Sequence, residues 1–254
     1  MCSTSSFFLC DHFVLTTSSF IRQFFLSQSL LSYRTMEHRD YDYYEARAAD
    51  IILGDITSSV ENANNLQRLR HGDDTLSSFS LGGPFGDINI SEDNDWGWWG
   101  YFIGRSECIQ RLGIHYLPER EEGHAFVEGI ARSQSIRDVS IHNLNNEAFT
   151  SIMRALHSLS QLEELYIGQN NNVDPDGWSE LGFLLESGVC KLKELDLREN
   201  NYIRNQGLDV LSNGLRGIGS SLKKLVLDDN SIGIGNRGLF TADMYQTRNI
   251  IPLL

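Results

Sequence analysis

From residue 76 onward the apolar positions fall into a recurring frame. Leu192, Leu195 and Leu197 are followed by Asn200, which spells L-x-x-L-x-L-x-x-N. The frame returns as Leu222, Leu225, Leu227 and Asn230, and as Leu162, Leu165, Ile167 and Asn170. Upstream it continues as Ile136, Val139 and Ile141 with Leu144 in the asparagine slot, then Ile109, Leu112 and Ile114 with Leu117 there. A weaker copy is Leu76, Phe79 and Leu81, with Pro84 in the slot. Alternate apolar residues over so short a run predict a strand buried on one side.

The second half of each unit repeats as well. Gly207-Leu208 leads to Leu211 and Leu215, Gly177-Trp178 to Leu181, Leu184 and Leu185, and Ala148-Phe149 to Ile152, Met153 and Leu156. Spacings of three and four predict a helix with one apolar face. The run Trp96 to Ile103 aligns with Trp178 to Leu185, so its tryptophans are read as core, with Trp98 on the more polar side. One strand and one helix cannot bury their apolar faces alone, whereas stacked copies make a continuous core. The helix also supplies the crossover that parallel strands need.

Strand-then-helix units averaging about 29 residues resemble the ribonuclease-inhibitor-like class of leucine-rich repeats. The resemblance spans about residues 76 to 240 and is carried by the leucines and asparagines of the last three complete frames. It implies an α/β solenoid with a curved parallel sheet inside and helices outside. It also implies that each slot asparagine bonds neighbouring backbone as the chain leaves its strand. Leu117 and Leu144 depart from that pattern, so the asparagine ladder is not expected in the earlier units.

The ends read differently. Residues 36–75 predict a polar helical cap, with Ala46, Ala49, Ile52 and Leu53 on one face and Leu66 and Leu69 further on. Residues 76–254 form the repeat domain. Gly238-Leu239-Phe240 begins another helix, and a further strand is due at about 252, where the chain reads Pro252-Leu253-Leu254; the array is therefore expected to be incomplete at that end. Residues 1–35 break from the rest. They hold one acid, Asp11, and two arginines, Arg22 and Arg34, among many Ser, Thr and Phe. That composition fits an organelle transit peptide or an extension outside the folded protein, with Met36 as the start; the extension is the simpler reading.

Charge narrows the functional classes. The net charge of −13 would repel a phosphate backbone and argues against nucleic acid as a partner. No uninterrupted apolar run reaches the ~18 residues of a membrane helix. Cys2, Cys10, Cys108 and Cys190 form no CxxC pair, which points to a reduced, cytoplasmic protein without structural zinc. Residues 1–35 keep organelle import open.

Candidate chemistry is sparse. Gly233-Ile234-Gly235-Asn236-Arg237-Gly238 matches G-x-G-x-x-G, but no strand and acid follow at the distance a dinucleotide site needs. These glycines are read as turn residues, and no cofactor is expected. Asn89-Ile90-Ser91 is a glycosylation sequon, meaningful only on a secreted chain. His115 and His142 occupy equivalent places in adjacent units. They could form a metal pair or a pH-sensitive patch, though solvated recognition residues are the plainer reading. No nucleophile with a base and an orienting group is evident. Residues flanking the buried leucines should face the concave side: His115, Tyr116, His142, Asn143, Tyr166, Gln169, Asp196, Arg198, Glu199, Asp228 and Asp229. The expected function is non-catalytic binding of a protein partner on that face. Ran GTPase-activating proteins resemble this repeat class, so the resemblance implies regulation of a small GTPase as the alternative.

Overall fold

The structure, a computed structural model, describes residues 39–82, 95–117, 121–189, 191–200, 203–218, 221–230 and 251–253. The N-terminal 35 residues, the sequon at Asn89, Cys190, the glycine run from Gly233 and the helix expected from Gly238 lie outside these. Among the described residues three helices come first: α1 (Tyr41–Arg47), α2 (Leu53–Ile56) and α3 (Val60–His71). Strands then alternate with helices: β1 (Ser78–Leu81), α4 (Trp96–Arg105), β2 (Arg111–Ile114), α5 (Glu121–Arg132), β3 (Asp138–His142) and α6 (Asn146–Leu156). They continue as β4 (Glu164–Gly168), α7 (Pro175–Ser187), β5 (Glu194–Asp196), α8 (Arg204–Ile218), β6 (Lys224–Val226) and β7 (Ile251–Leu253). The described strands form one sheet in chain order, every neighbouring pair parallel. This is the α/β leucine-rich-repeat solenoid that the frame predicts, including a strand at 251–253.

Sheet register follows the sequence frame residue for residue. Phe79, Leu112, Val139, Leu165, Leu195 and Leu225 pair in succession. Each is buried, as are Ile114, Ile141, Ile167, Leu197 and Leu227 two places on. The helices start where short side chains accept their free N–H groups. Asn145 takes the Ala148 N–H to open α6, and Asp174, followed by Pro175, takes those of Asp176 and Gly177 to open α7. Asp95 opens α4 by accepting from Gly97 N–H at 3.0 Å.

That cap is tied to the N-terminal helices. Asp95 also accepts the Tyr44 hydroxyl at 2.7 Å and pairs with Arg39 at 3.1 Å. Tyr44 meets Trp98 edge-on at 5.0 Å, and Trp98 is only 4% exposed although it sits on the polar side of its sequence alignment. The buried face of the first helices is made by Tyr41, Tyr44, Ile56, Leu66 and Leu69, while Ala46 and Ala49 are exposed and Ile52 is 67% exposed. Tyrosines bury far more area than alanines and reach further, so they set the docking angle.

Backbone groups at the strand exits are satisfied by an asparagine ladder. Asn200 donates from Nδ2 to the carbonyls of Ile167, Leu197 and Arg198 at 2.6, 2.7 and 3.1 Å. Its Oδ1 accepts from Asn170 N–H at 2.8 Å, and Asn230 Oδ1 accepts from Asn200 N–H at 3.0 Å. Asn170 bonds the Ile141 and Gly168 carbonyls and accepts from Leu144 N–H. There the ladder stops, because Leu144 and Leu117 hold the next slots. Earlier units rely on serines at the other end of the strand. Ser106 Oγ accepts from the N–H groups of Cys108 and Ile109, Ser133 Oγ from those of Ser135 and Ile136, and Ser135 Oγ lies 2.7 Å from the carbonyls of Ser106 and Ile109.

Strands stand about 4.8 Å apart and helices ordinarily 8–10 Å, so stacked units bend toward the strand side. Two helix pairs escape the usual spacing through glycine. A Cβ on Gly100 would lie 2.3 Å from Phe126 Cα, and one on Gly129 would lie 2.1 Å from the Gly100 carbonyl. A Cβ on Gly214 in α8 would lie 2.7 Å from the Gly182 carbonyl oxygen in α7. By contrast α6 packs more loosely on both its neighbours.

Two stability predictions follow from these contacts. Replacing Asn200 with Leu strips partners from several buried backbone groups and should cost roughly 2–4 kcal/mol in urea denaturation. Gly100→Ala should cost about 2 kcal/mol or more through overpacking. Gly54→Ala, with nothing within 4 Å of the new methyl, should leave the midpoint unchanged or slightly raised; equal effects at the two glycines would contradict the helix contact.

Candidate functional site

Side chains that point away from the buried leucines form three rows across the strands. The first holds Arg111, Asp138, Glu164, Glu194 and Lys224, and the second Ser80, Gly113, Ser140, Tyr166, Asp196 and Val226. The third holds His115, His142, Gly168, Arg198 and Asp228, at and just past the strand ends.

The first row is a chain of ion pairs. Arg111 Nε lies 2.9 Å from Asp138, and Lys224 pairs with Glu194. The Tyr166 hydroxyl lies 3.3 Å from Glu164 and 3.3 Å from Glu194, so it donates to one carboxylate at a time. Burial together with those two carboxylates pushes its pKa up to about 12. At the strand entries Glu163 bridges Lys193 at 2.6 Å and Arg137 at 3.5 Å. The Lys193 ammonium holds the Glu163 carboxyl below its ordinary range.

Asp196 is the buried acid of the face, at 2% exposure. Arg198 covers it with a fork, Nε at 2.9 Å and Nη2 at 2.5 Å from the same carboxylate oxygen. A buried carboxylate stripped of such a partner costs several kcal/mol, so Arg198 is structural as well as available. Next along the row, the imidazoles of His115 and His142 stack at 4.9 Å with only 11° between planes. Burial pushes both pKa values below 6.5, and for His142 the neighbouring His115 adds to it while Glu199 and Asp196 oppose. His115 Nε2 lies 3.0 Å from Ser80 Oγ. No carboxylate bonds that imidazole among the described residues, so the pair lacks the orienting group of a catalytic triad. Nor do the described residues contain a group of three or more His, Cys, Asp or Glu able to hold a metal.

Between His142 and Arg198 the third row carries Gly168. A Cβ there would come 2.9 Å from His142 Nδ1. The missing side chain opens a cleft of about 380 Å³, lined by Ser140, His142, Tyr166, Ile167, Gly168, Asp196 and Arg198.

The sequence-predicted residues divide into groups. His142, Tyr166, Asp196 and Arg198 come together at the cleft, with His115 stacked behind and Asp228 further along the row. Asn143, Gln169, Glu199 and Asp229 are turn residues one to three places after their strands, with left-handed φ of 55°, 58°, 61° and 57°. That conformation costs a non-glycine residue about 1–2 kcal/mol. Each precedes the slot residue of its unit, and the asparagine bonds hold three of these turns in place. Gln169 and Glu199 still meet, at 2.7 Å. Tyr116 is 48% exposed and leans on Trp96 at 5.9 Å, away from the cleft. Ser140, Gly168, Glu164, Glu194, Arg111 and Lys224 were missed. Strict alternation counted in both directions from the frame's second leucine would have found them, because it also marks the residue just before that leucine.

No family model matches the chain. Over 129 residues it is 32% identical to Ran GTPase-activating protein 2 of Caenorhabditis elegans, a match that covers 48% of this chain and 13% of that protein. No helix among the described residues is long and apolar enough to cross a membrane.

The stacked imidazoles should make stability depend on pH. Their folded pKa values lie below the unfolded value of 6.5, so the unfolded chain binds more protons as pH falls past that point, and stability drops. A His115→Gln, His142→Gln double variant should lose less stability than wild type between pH 7.5 and pH 5.5 by urea denaturation. An identical slope would show the stack to be inert.

Proposed function

We propose that the outward strand face is a protein-recognition surface that acts by binding rather than by bond chemistry, and that its partner is a small GTPase. The observation that carries the first half is the cleft at Gly168. It is framed by side chains on rigid strands, with the Arg198–Asp196 fork and the Tyr166–Glu194–Lys224 chain fixing their positions. Preorganised side chains lose little entropy on binding, and aromatic residues and arginine are the usual anchors of interfaces. The local likeness to a Ran GTPase-activating protein supports the second half. The unit length and the helix in each unit support reading the repeats as the ribonuclease-inhibitor-like class.

Titrating the purified full chain with Ran, loaded with GDP or with a non-hydrolysable GTP analogue, tests both halves. The expected result is binding that depends on the nucleotide. A Tyr166→Ala, Glu164→Lys variant should bind at least about tenfold more weakly, or 1.4 kcal/mol. Hydrolysis of GTP by Ran, followed with and without the chain, should be unchanged. Acceleration would make the chain an activator and overturn the binding-only reading. Equal affinity for the variant would move the interface off this face.

A further inference from the structure

The geometry points to the Gly168 cleft as the seat for one aromatic side chain of the protein partner, an aromatic residue flanked by basic ones. This rests on the strand face being the recognition surface.

His115 and His142 stack at 4.9 Å, which is the distance between adjacent strands. Gly168 is paired with His142 in the register, so the next ring in that stack is absent. Arg198 closes the row on the following strand. The His142 ring leans over Gly168, 2.9 Å from where a Cβ would sit, so the gap toward Arg198 is narrower than two strand spacings, which would be roughly 9–10 Å. A flat ring in van der Waals contact on both faces needs about 3.5–4 Å to each side. The cleft therefore takes at most one planar group.

Chemistry selects the kind of group. One wall is the His142 imidazole, which offers a ring to stack on. The other is Arg198, a cation held in place by Asp196 at 2.9 Å. A cation is attracted to an aromatic face, whereas a lysine or arginine from the partner would meet it with like charge. The Tyr166 ring lines a third side, and its hydroxyl is already engaged with Glu164 and Glu194, so what it offers the cleft is apolar. An aliphatic side chain would gain contact but not the cation attraction. Around the rim stand Glu164, Glu194, Glu199 and Asp228, against which Lys224 and Arg198 are the facing cations. That excess of carboxylates favours lysine or arginine on either side of the inserted ring and disfavours an anionic ligand.

The test uses the full chain and two peptides, Lys-Arg-Gly-Trp-Gly-Arg-Lys and its alanine counterpart, with the histidine ring signals followed by NMR. The tryptophan peptide should bind at least about tenfold more tightly than the alanine one. It should also move the His142 ring signals upfield by ring current, more than those of His71 on α3. Gly168→Leu, which fills the cleft, should abolish that difference while the melting temperature shows the fold retained. Gly168→Ala is the milder second variant and should weaken tryptophan binding in the same direction. If both peptides bind equally and only rim carboxylates respond, the face recognises charge, and the aromatic seat is wrong while the recognition surface stands. If neither peptide perturbs any of the three rows, the proposal fails; if Ran also binds without perturbing them, the reading of the face fails with it. Guanosine monophosphate serves as a third ligand, and a larger His142 response to it than to the tryptophan peptide would make this a nucleobase site and overturn the proposal.

Discussion

A strand with leucine at alternate places can bury one side only if its neighbour carries leucines at the same height. A slip of one residue would turn every leucine of that strand to the opposite face. The whole array depends on this match. Phe79, Leu112, Val139, Leu165, Leu195 and Leu225 lie side by side, and everything else is placed relative to them. The helices follow because a parallel strand must be reached by a crossover, and the rows of the recognition face follow because they are the residues left over. Turn geometry is set by the same match. The residue before each slot takes a left-handed conformation in four successive units, so the chain leaves its strand the same way each time.

Two ways of satisfying backbone groups share this frame. In the later units the asparagine at the strand exit reaches carbonyls of its own strand and of the one before. In the earlier units that slot is leucine, and serines bond the turns that enter the strands, as Ser187 also does before β5. Either arrangement removes the penalty of unpaired buried N–H and C=O groups. The loss of the slot asparagine explains why the repeat is plain in the last units and faint in the first. The leucine frame persists where its polar companion is lost.

The fold was legible because its signal is periodic and long: six copies of one spacing, each demanding the same burial. The asparagine ladder, its end at Leu144 and the strand near 252 were legible for the same reason. The packing of Tyr44 on Trp98 was not. It joins residues more than fifty places apart, and helix periodicity in the first segment favoured the alanines instead. The cleft was half legible. His142, Tyr166, Asp196 and Arg198 are polar residues in marked positions. The feature that makes them a cleft is Gly168, and a glycine in a strand leaves no chemical mark until the neighbouring ring is seen to occupy its space. The left-handed turns were hidden too, because Gln and Glu do not advertise that conformation as glycine would.

Glycine has a second effect, on the mechanics of the array. α4 packs on α5 and α7 on α8 at backbone contact, while α6 packs more loosely on its neighbours, and a groove of about 370 Å³ lies between α5 and α6. The solenoid is thus two stiff doublets joined across a compliant seam. Bending is expected to concentrate where α6 sits, and the strands on either side of α6 are β3 and β4. Those strands carry His142 and Gly168, so the softest joint on the helical side lies directly behind one wall and the floor of the cleft.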